Sequence, residues 1–223
     1  MTVLCVAPIV EGAGDVAALP VLLRRLWENR WADVALDVLK PIPYKRTKLL
    51  RRPGTSPTPS IPDSDQLRRA ITFAAGRIDE DYGTLDRTMI LLLLDADRDC
   101  PKELAPTLAR TLAEATSLQN ISVVLAKVEF ETWFVAAASS LSDYLRVELP
   151  ADDIEDPEGR AFGKAWISER FLGAVVGSRY REPIDQPRLT AVMDLGLCRR
   201  RCPSFDKLCR ELDDAYARAT GNS

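Results

Sequence analysis

The sequence predicts an α/β fold in which a parallel, Rossmann-like sheet is flanked by helices, with a helical elaboration at the C-terminal end. Three observations support this fold class. Strand-like apolar runs alternate with segments of helical periodicity up to about residue 138, which is the order expected of βαβ units. One run is apolar throughout, as in a strand buried on both faces of a parallel sheet. Beyond residue 139 only helical patterns continue.

The first βα unit lies at the N-terminus. Thr2 to Val10 is a strand-like run, Glu11 to Gly14 is a tight turn, and Asp15 to Asn29 has apolar side chains at helical spacing. Val34 to Leu39 is predicted to form the second strand. The proline-rich stretch that follows, up to Pro62, is predicted to be loop or extended chain, and it is long for a compact domain.

The predicted central strand is Thr88 to Leu94, and the acidic segment Asp95 to Asp99 follows it directly. Capping residues and apolar periodicity predict its neighbours in the chain. These are a helix from Asp63 or Ser64 to about Tyr82, a helix from Pro101 to about Thr116, a strand from Ile121 to Val128, and a helix with Trp133 in the core. Further helices are predicted near Arg160 to Leu172, Pro187 to Leu195 and Ser204 to Thr220.

We therefore expect two parts. An α/β domain spans residues 1–138 and contains a basic, proline-rich insertion at about 40–62. A helical extension spans residues 139–223 and packs on that domain.

The composition narrows the possible functions. The 223 residues contain no histidine, so catalysis has to use carboxylates, lysine, tyrosine, cysteine or a bound metal. The five cysteines are irregularly spaced and include no Cys-x-x-Cys pair, which indicates a reducing cytoplasm rather than a disulfide framework or a four-thiolate zinc site. A net charge of −3 argues against coating nucleic acid through bulk charge. No secretion signal or membrane-spanning apolar run is recognisable, so no membrane contact is expected.

Acids follow three predicted strands at their carboxyl ends. They are Glu11 and Asp15, then Asp95, Asp97 and Asp99, then Glu129 and Glu131. Since the carboxyl ends of parallel strands meet at one crevice, these carboxylates are expected to converge there. Mg²⁺ prefers oxygen ligands, and a cation keeps clustered carboxylates ionised. The alternative is that acids cap helices and favour the helix dipole, which applies most directly to Asp15 and Asp99.

Two of these segments resemble a known domain. Val10-Glu11-Gly12 at one strand end and Asp95-Ala96-Asp97 at a later one resemble the pattern of the TOPRIM domain, shared by topoisomerases, primases and the overcoming-lysogenisation-defect (OLD) nucleases. Asp15 and an acid after the next strand resemble the nuclease branch. Ala18-Leu19-Pro20 and the stretch Pro203 to Leu208 resemble a bacterial TOPRIM-related family of unknown function.

The resemblance implies a nuclease that hydrolyses phosphodiesters with water activated by Mg²⁺ or Mn²⁺. Carried over, Glu11, Asp95 and Asp97 would bind metal or act as general base, with Asp15 and either Glu129 or Glu131 completing a second metal position. Two ions about 4 Å apart would activate the water and stabilise the leaving oxygen. Lys127 would stabilise charge on the phosphate; the alternative is a strand-end lysine that reaches solvent.

The resemblance also implies partners. Members of the resembling families are linked to phage defence and are often encoded beside ATPases. The segment Gly159 to Ala165 is one residue short of a phosphate loop and lacks its final Ser or Thr, so an ATPase partner is expected in trans. A homo-oligomer is also compatible with the sequence.

The proline-rich insertion is strongly basic. No acid lies between Asp37 and Asp63, whereas several cations do. Lys45, Arg46, Lys48, Arg51 and Arg52 are predicted to contact nucleic acid, DNA rather than RNA. The alternative is a solvated loop.

Two other functions compete with the nuclease. The first is a non-catalytic subunit that keeps the fold and the acids but recruits a partner. The second is a nucleotide-cofactor enzyme, because Gly12 to Ala17 fits the fingerprint G-x-G-x-x-A after a strand. Against the second, Glu11 and Asp15 would place negative charge beside a pyrophosphate.

Overall fold

The computed structural model confirms the α/β fold class with a parallel sheet flanked by helices. It describes residues 2–52, 59–82, 87–116, 118, 120–145, 156–159, 163–174 and 179–221. The strands are β1 (Thr2–Val10), β2 (Val34–Val38), β3 (Ile42–Pro43), β4 (Leu50–Arg51), β5 (Ile61–Pro62), β6 (Thr88–Asp95) and β7 (Ile121–Ala126). The helices are α1 (Ala13–Glu28), α2 (Arg46–Leu49), α3 (Ser64–Tyr82), α4 (Pro101–Ala115), α5 (Thr132–Ala136), α6 (Ala138–Leu145), α7 (Gly163–Ala174), α8 (Glu182–Val192), α9 (Leu195–Arg201) and α10 (Pro203–Thr220).

The main sheet has the order β2-β1-β6-β7, and all its strands are parallel. The short strand β3 pairs with the end of β1 on the same side as β2. After β1 the chain first forms β2 on one side and later forms β6 on the other side, so the strand order reverses between β1 and β6. In open α/β sheets the crevice beyond the strand ends at such a reversal is the usual ligand site.

Both faces of the sheet are buried, which explains the uninterrupted apolar runs. Alternate side chains of β1 point to opposite faces: Leu4 and Val6 join the core with α1 and α10, whereas Cys5 and Ala7 join the core with α3 and α4. The side chains of β6 divide in the same way. Two apolar layers therefore hold the carboxyl ends of β1 and β6 in fixed positions.

The C-terminal helices pack on the same core. Helix α8 lies along α1, and Arg25 of α1 donates hydrogen bonds to the carbonyl oxygens of Thr190 (2.6 Å) and Met193 (2.9 Å) at the end of α8. Trp133 is fully buried, as predicted, and donates from its indole nitrogen to Ser204 Oγ at 2.9 Å. Within the described part of the chain, no helix is both long enough and apolar enough to span a bilayer.

The structure differs from the sequence-based prediction mainly in the insertion and the C-terminal part. The proline-rich stretch contains β3, α2 and the β4–β5 pair, while residues 53–58 lie outside the described residues. The helix predicted from Pro187 begins instead at Glu182, because Pro183 already occupies its first turn. The acidic residues Asp152, Asp153 and Glu155 also lie outside the described residues.

Candidate functional site

A cleft of about 460 Å³ opens at the reversal point between β1 and β6. Five carboxylates face two lysines across it, so its charge is predominantly negative. Its lining residues are Glu11, Gly12, Asp15, Lys45, Thr47, Asp95, Glu131, Lys164, Glu182 and Gln186. The cleft thus combines acids from the ends of β1 and β6, from the segment after β7, and from the C-terminal helices.

Glu11 is the first residue after β1 and carries an unpaired oxygen. Its Oε2 is buried and has no hydrogen-bond partner among the described residues. Burial, and after it the nearby charge of Asp97, raises the pKa of Glu11 to about 7. A buried carboxylate oxygen without a donor is costly, so this position favours either a proton or a cation.

Asp95 ends the central strand β6 and points into the same cleft. Its Oδ1 accepts a hydrogen bond from the backbone N–H of Phe130 at 2.9 Å. Burial raises the pKa of Asp95 well above its ordinary value, and the charges of Asp15, Glu131 and Glu11 raise it further. The four acids therefore interact with one another electrostatically, as carboxylates gathered at one site do.

Asp15 caps helix α1 and also lines the cleft. Its Oδ2 accepts from the backbone N–H of Gly12 at 3.0 Å, which caps the start of α1. Its Oδ1 accepts from Nε2 of Gln186 in α8 at 2.9 Å. Burial raises the pKa of Asp15 despite these hydrogen bonds. Asp15 is therefore a capping residue whose carboxylate also lines the cleft.

Glu131, rather than Glu129, lines the cleft. Glu131 is only 3% exposed and accepts a hydrogen bond from the Tyr180 hydroxyl at 3.0 Å. Burial raises its pKa to about 7. Glu129 instead accepts a hydrogen bond from the backbone N–H of Lys164, so it holds the first turn of α7.

Arg46 holds the acidic turn at the end of β6, which comprises Asp95 to Asp99. It forms ion pairs with Asp97 (3.3 Å) and with Asp99, and donates from Nε to the backbone oxygen of Asp95 at 2.9 Å. Asp99 is buried and also accepts from the backbone N–H and the hydroxyl of Ser60. Burial alone would raise the pKa of Asp99, but the hydrogen bonds from Ser60 and the charge of Arg46 hold it below its ordinary value.

Asp97 has a backbone φ of 52°, in the left-handed region that few non-glycine residues adopt. The backbone N–H of Asp97 donates to the oxygen of Val128 at 2.8 Å, and its side chain is about half exposed. Asp97 does not line the cleft, yet its charge acts on Glu11. The turn thus places Asp97 beside the cleft, where it adds negative potential.

The second cation in the cleft, besides Lys45, is Lys164, which was not predicted to be a site residue. Its Nζ lies 3.0 Å from Glu182. Burial lowers its pKa, but the charges of Glu131 and Glu182 outweigh that effect and raise it above the ordinary value, so Lys164 stays protonated. Lys127, the lysine selected from the sequence, is not among the lining residues, and its backbone N–H donates to Ser204 Oγ at 3.3 Å.

A close helix approach positions Lys164. A Cβ on the neighbouring Gly163 would lie 2.6 Å from the backbone nitrogen of Thr132, so only glycine lets α7 begin against the backbone that follows Glu131. A glycine before a lysine was visible in the sequence, but nothing there showed which distant segment it approaches. Nothing in the sequence showed that Tyr180 and Gln186 contact acids of the cleft either.

The basic insertion divides into two groups of residues. Lys45 lines the cleft, and Lys48, Arg51 and Arg52 are exposed. Arg46 is only 6% exposed and forms its ion pairs with Asp97 and Asp99 in the acidic turn. Its role in the structure is therefore to hold that turn, whereas Lys45, Lys48, Arg51 and Arg52 are exposed and available to a ligand.

The donor chemistry of the cleft fits a hard divalent cation. Carboxylates are the ligands that Mg²⁺ and Mn²⁺ prefer, and Glu11 supplies a buried oxygen without a partner. Among the described residues, no three Asp, Glu, Cys or His side chains already stand together in an arrangement that would hold a metal ion. Asp15 and Glu131 are instead turned towards Gln186 and Tyr180. Binding a cation would therefore require side-chain rotations of these acids.

Comparison with known proteins identifies a family. A family model described as a domain of unknown function, DUF4276, matches residues 10–213, which is most of the chain. Neither the curated proteins nor the solved structures gave a match.

Proposed function

The chain belongs to the DUF4276 family, and we propose that its acidic cleft binds a divalent cation and hydrolyses phosphodiester bonds as a nuclease. The observation that carries this proposal is the buried, unpaired Oε2 of Glu11 in a cleft with four further carboxylates. Without a cation, such a group of acids is partly protonated at neutral pH, as the pKa values of about 7 for Glu11 and Glu131 indicate. A cation would replace those protons.

Each cleft residue has a part in the proposal. Glu11 and Asp95 would hold the cation, because they lie directly at the ends of the two central strands. Asp15 and Glu131 would complete the ligand set once their hydrogen bonds with Gln186 and Tyr180 are broken. A bound Mg²⁺ or Mn²⁺ would supply Lewis acidity and a water of lowered pKa. Lys164 and Lys45 would bind phosphate oxygens and keep the substrate backbone over the acids.

The resemblance to TOPRIM domains supports the same chemistry. The two segments that carry it, Val10-Glu11-Gly12 and Asp95-Ala96-Asp97, end the neighbouring strands β1 and β6. Their side chains are therefore adjacent in space although about 80 residues apart in sequence. An ATPase partner in trans and a role in phage defence stay part of the proposal on the strength of that resemblance alone.

A cleavage assay tests the proposal. Labelled single-stranded and duplex DNA and RNA are incubated with the protein in Mn²⁺, Mg²⁺ or EDTA. We expect metal-dependent cleavage that falls at least about 100-fold in Glu11→Gln and in Asp95→Asn, because each removes a metal-holding charge. Glu169→Gln is the matched control, since Glu169 is exposed and lies outside the cleft. Cleavage that persists in EDTA or in both variants would refute the proposal.

The nucleotide-cofactor function is less well supported by the geometry. At Gly14, the second glycine of the fingerprint, a Cβ would lie 1.8 Å from Gln186 Oε1 and 2.9 Å from Glu182 Cβ. The glycine therefore admits helix α8 at the position where the fingerprint would admit a pyrophosphate. A non-catalytic interaction subunit is distinguished from a nuclease by the same assay, because a folded wild type that never cleaves would favour it.

A further inference from the structure

Helix α3 carries an exposed phenylalanine surrounded by arginines. A shallow groove of about 750 Å³ is lined by Arg68, Arg69, Thr72, Phe73, Gly76 and Arg77. Phe73 is 59% exposed, whereas the apolar residues on the opposite side of the helix, such as Leu67 and Ile71, are buried. Since the core is already filled from that other side, Phe73 has no packing role. We call this surface the α3 groove.

Positively charged and aromatic side chains alternate along the α3 groove. Arg69, Phe73 and Arg77 stand four residues apart, so they form one row along the helix with steps of about 6 Å. No carboxylate is among the described residues that line the groove. Asp65 pairs with Arg68 at 2.6 Å, at the border of the row. The row therefore places the ring of Phe73 between two cations, Arg69 and Arg77.

Gly76 keeps one side of this row open. A glycine in a helix interior costs about 1 kcal/mol relative to alanine. Close packing does not require a glycine at this position, because a Cβ at Gly76 would meet no atom within 4 Å. Gly76 lies one turn from Phe73, on the same helix face. The missing side chain therefore leaves the space beside the Phe73 ring accessible to a flat ligand.

The α3 groove is joined to the acidic cleft by the segment 40–45. Arg77 donates from Nη1 to the backbone oxygen of Lys40 at 2.6 Å, and the Tyr44 hydroxyl donates to Gln66 Oε1 of α3 at 2.6 Å. The next residue, Lys45, lines the cleft. The segment between the groove and the candidate metal site thus carries an exposed cation at each end, Lys40 and Lys45.

We propose that the α3 groove binds single-stranded nucleic acid, with phosphates on the arginines and a base stacked on Phe73. A single strand offers alternating phosphates and free base faces, and base–aromatic stacking tolerates any sequence. An acidic peptide would use the arginines without needing the ring, and the paired bases of a duplex cannot reach it. This inference deepens the proposed nuclease function by naming the form of substrate delivered to the cleft.

Binding is measured separately from cleavage. Fluorescence anisotropy of a labelled single-stranded oligonucleotide in EDTA gives the affinity at several salt concentrations. We expect Phe73→Ala to weaken binding about tenfold without changing its salt dependence. Arg69→Ala with Arg77→Ala should weaken binding more, and should reduce the slope of log affinity against log salt by about 1.4, as expected for two lost phosphate contacts. Gly76→Leu should weaken binding while preserving the helix.

Matched controls separate the groove from general charge and from the cleft. Arg210→Ala with Arg218→Ala removes two exposed arginines from α10, and Tyr144→Ala removes another exposed aromatic ring. Both should leave binding nearly unchanged. Binding is measured in EDTA, where no metal-dependent cleavage occurs, so that a failure of the nuclease proposal does not affect this one. Unchanged affinity in Phe73→Ala and Gly76→Leu would overturn the proposal, as would equally tight, Phe73-independent binding of labelled polyglutamate, which indicates an acidic protein partner.

Discussion

Gln186 donates a hydrogen bond from Nε2 to Oδ1 of Asp15 at 2.9 Å, across 171 residues of sequence. This contact joins α8 to the first turn of α1, and Gly14 makes room for it. Glu182 of the same helix also lines the cleft and pairs with Lys164. The acids at the strand ends and the helices that follow residue 139 therefore build one site together.

Gly14→Ala is expected to destabilise the protein. Its methyl group would lie 2.9 Å from Cβ of Glu182, so α8 would have to shift, at a cost of about 1–3 kcal/mol in the free energy of unfolding. Gly76→Ala is the matched control and should stabilise by about 0.5–1 kcal/mol, because its methyl group meets nothing. Thermal unfolding followed by circular dichroism measures both. Shifts of the two midpoints in the same direction would contradict the packing described here.

Arg46→Ala is expected to be strongly destabilising. It removes the buried cation that contacts the buried carboxylate of Asp99, which typically costs about 3–5 kcal/mol. For a chain of this length that corresponds to roughly 10 °C in the unfolding midpoint. Arg52→Ala removes the more exposed arginine at 3.8 Å from the same carboxylate and should cost less than about 1 kcal/mol. Equal effects of the two substitutions would show that the ion pair is not buried in solution.

The metal-free protein should lose stability as the pH rises from about 4.5 to 7. The pKa values of Glu11 and Glu131 are about 7 in the folded chain and 4.5 in ordinary surroundings. Between these values the folded state binds more protons than the unfolded state, so the free energy of unfolding falls with pH, by at most about 1.4 kcal/mol per pH unit for each group.

Urea unfolding in EDTA at pH 5 and pH 8 measures this dependence. Glu11→Gln should flatten it, because the variant has no carboxyl group to titrate at that position. A stability that rises over the same range in the wild type would show that these carboxyl groups are ionised in the folded, metal-free protein.

Lys164→Ala is expected to reduce cleavage at least tenfold, because Lys164 lines the cleft and would bind a phosphate oxygen of the substrate. Lys127→Ala should leave cleavage nearly unchanged, since Lys127 does not line the cleft. The two variants are compared under identical Mn²⁺ conditions, with circular dichroism to verify that both are folded. A larger loss in Lys127→Ala would favour the lysine selected from the sequence.

The sequence predicted the parts of the fold that local patterns determine. The runs Thr2–Val10 and Thr88–Asp95 were recognisable because strands buried on both faces are apolar throughout. The acids Glu11 and Asp95 were recognisable as a possible pair because parallel strands end at one edge. Asp63 was a predicted cap of α3, and its Oδ1 accepts from the backbone N–H of Gln66 at 3.0 Å.

Long-range packing was not predictable from a single sequence. Arg46 reads as one of several cations in a basic segment, yet it is the one that is buried against Asp99. Lys164 lies in the incomplete phosphate-loop segment and Gln186 in a helix without a motif, and only the packing of α7 and α8 brings them to the cleft. Burial of a charge and the choice of its partner depend on the tertiary arrangement, which periodicity does not encode.

The central claim is that Glu11 and Asp95 hold a divalent cation, and calorimetric titration of the metal-free protein with Mn²⁺ at pH 7.5 tests it most directly. The account predicts binding accompanied by proton release, because the acids of raised pKa must ionise to become ligands. Affinity should fall at least tenfold in Glu11→Gln and Asp95→Asn and stay unchanged in Glu169→Gln. A folded wild type that takes up no Mn²⁺, or variants that bind it equally well, would contradict the claim.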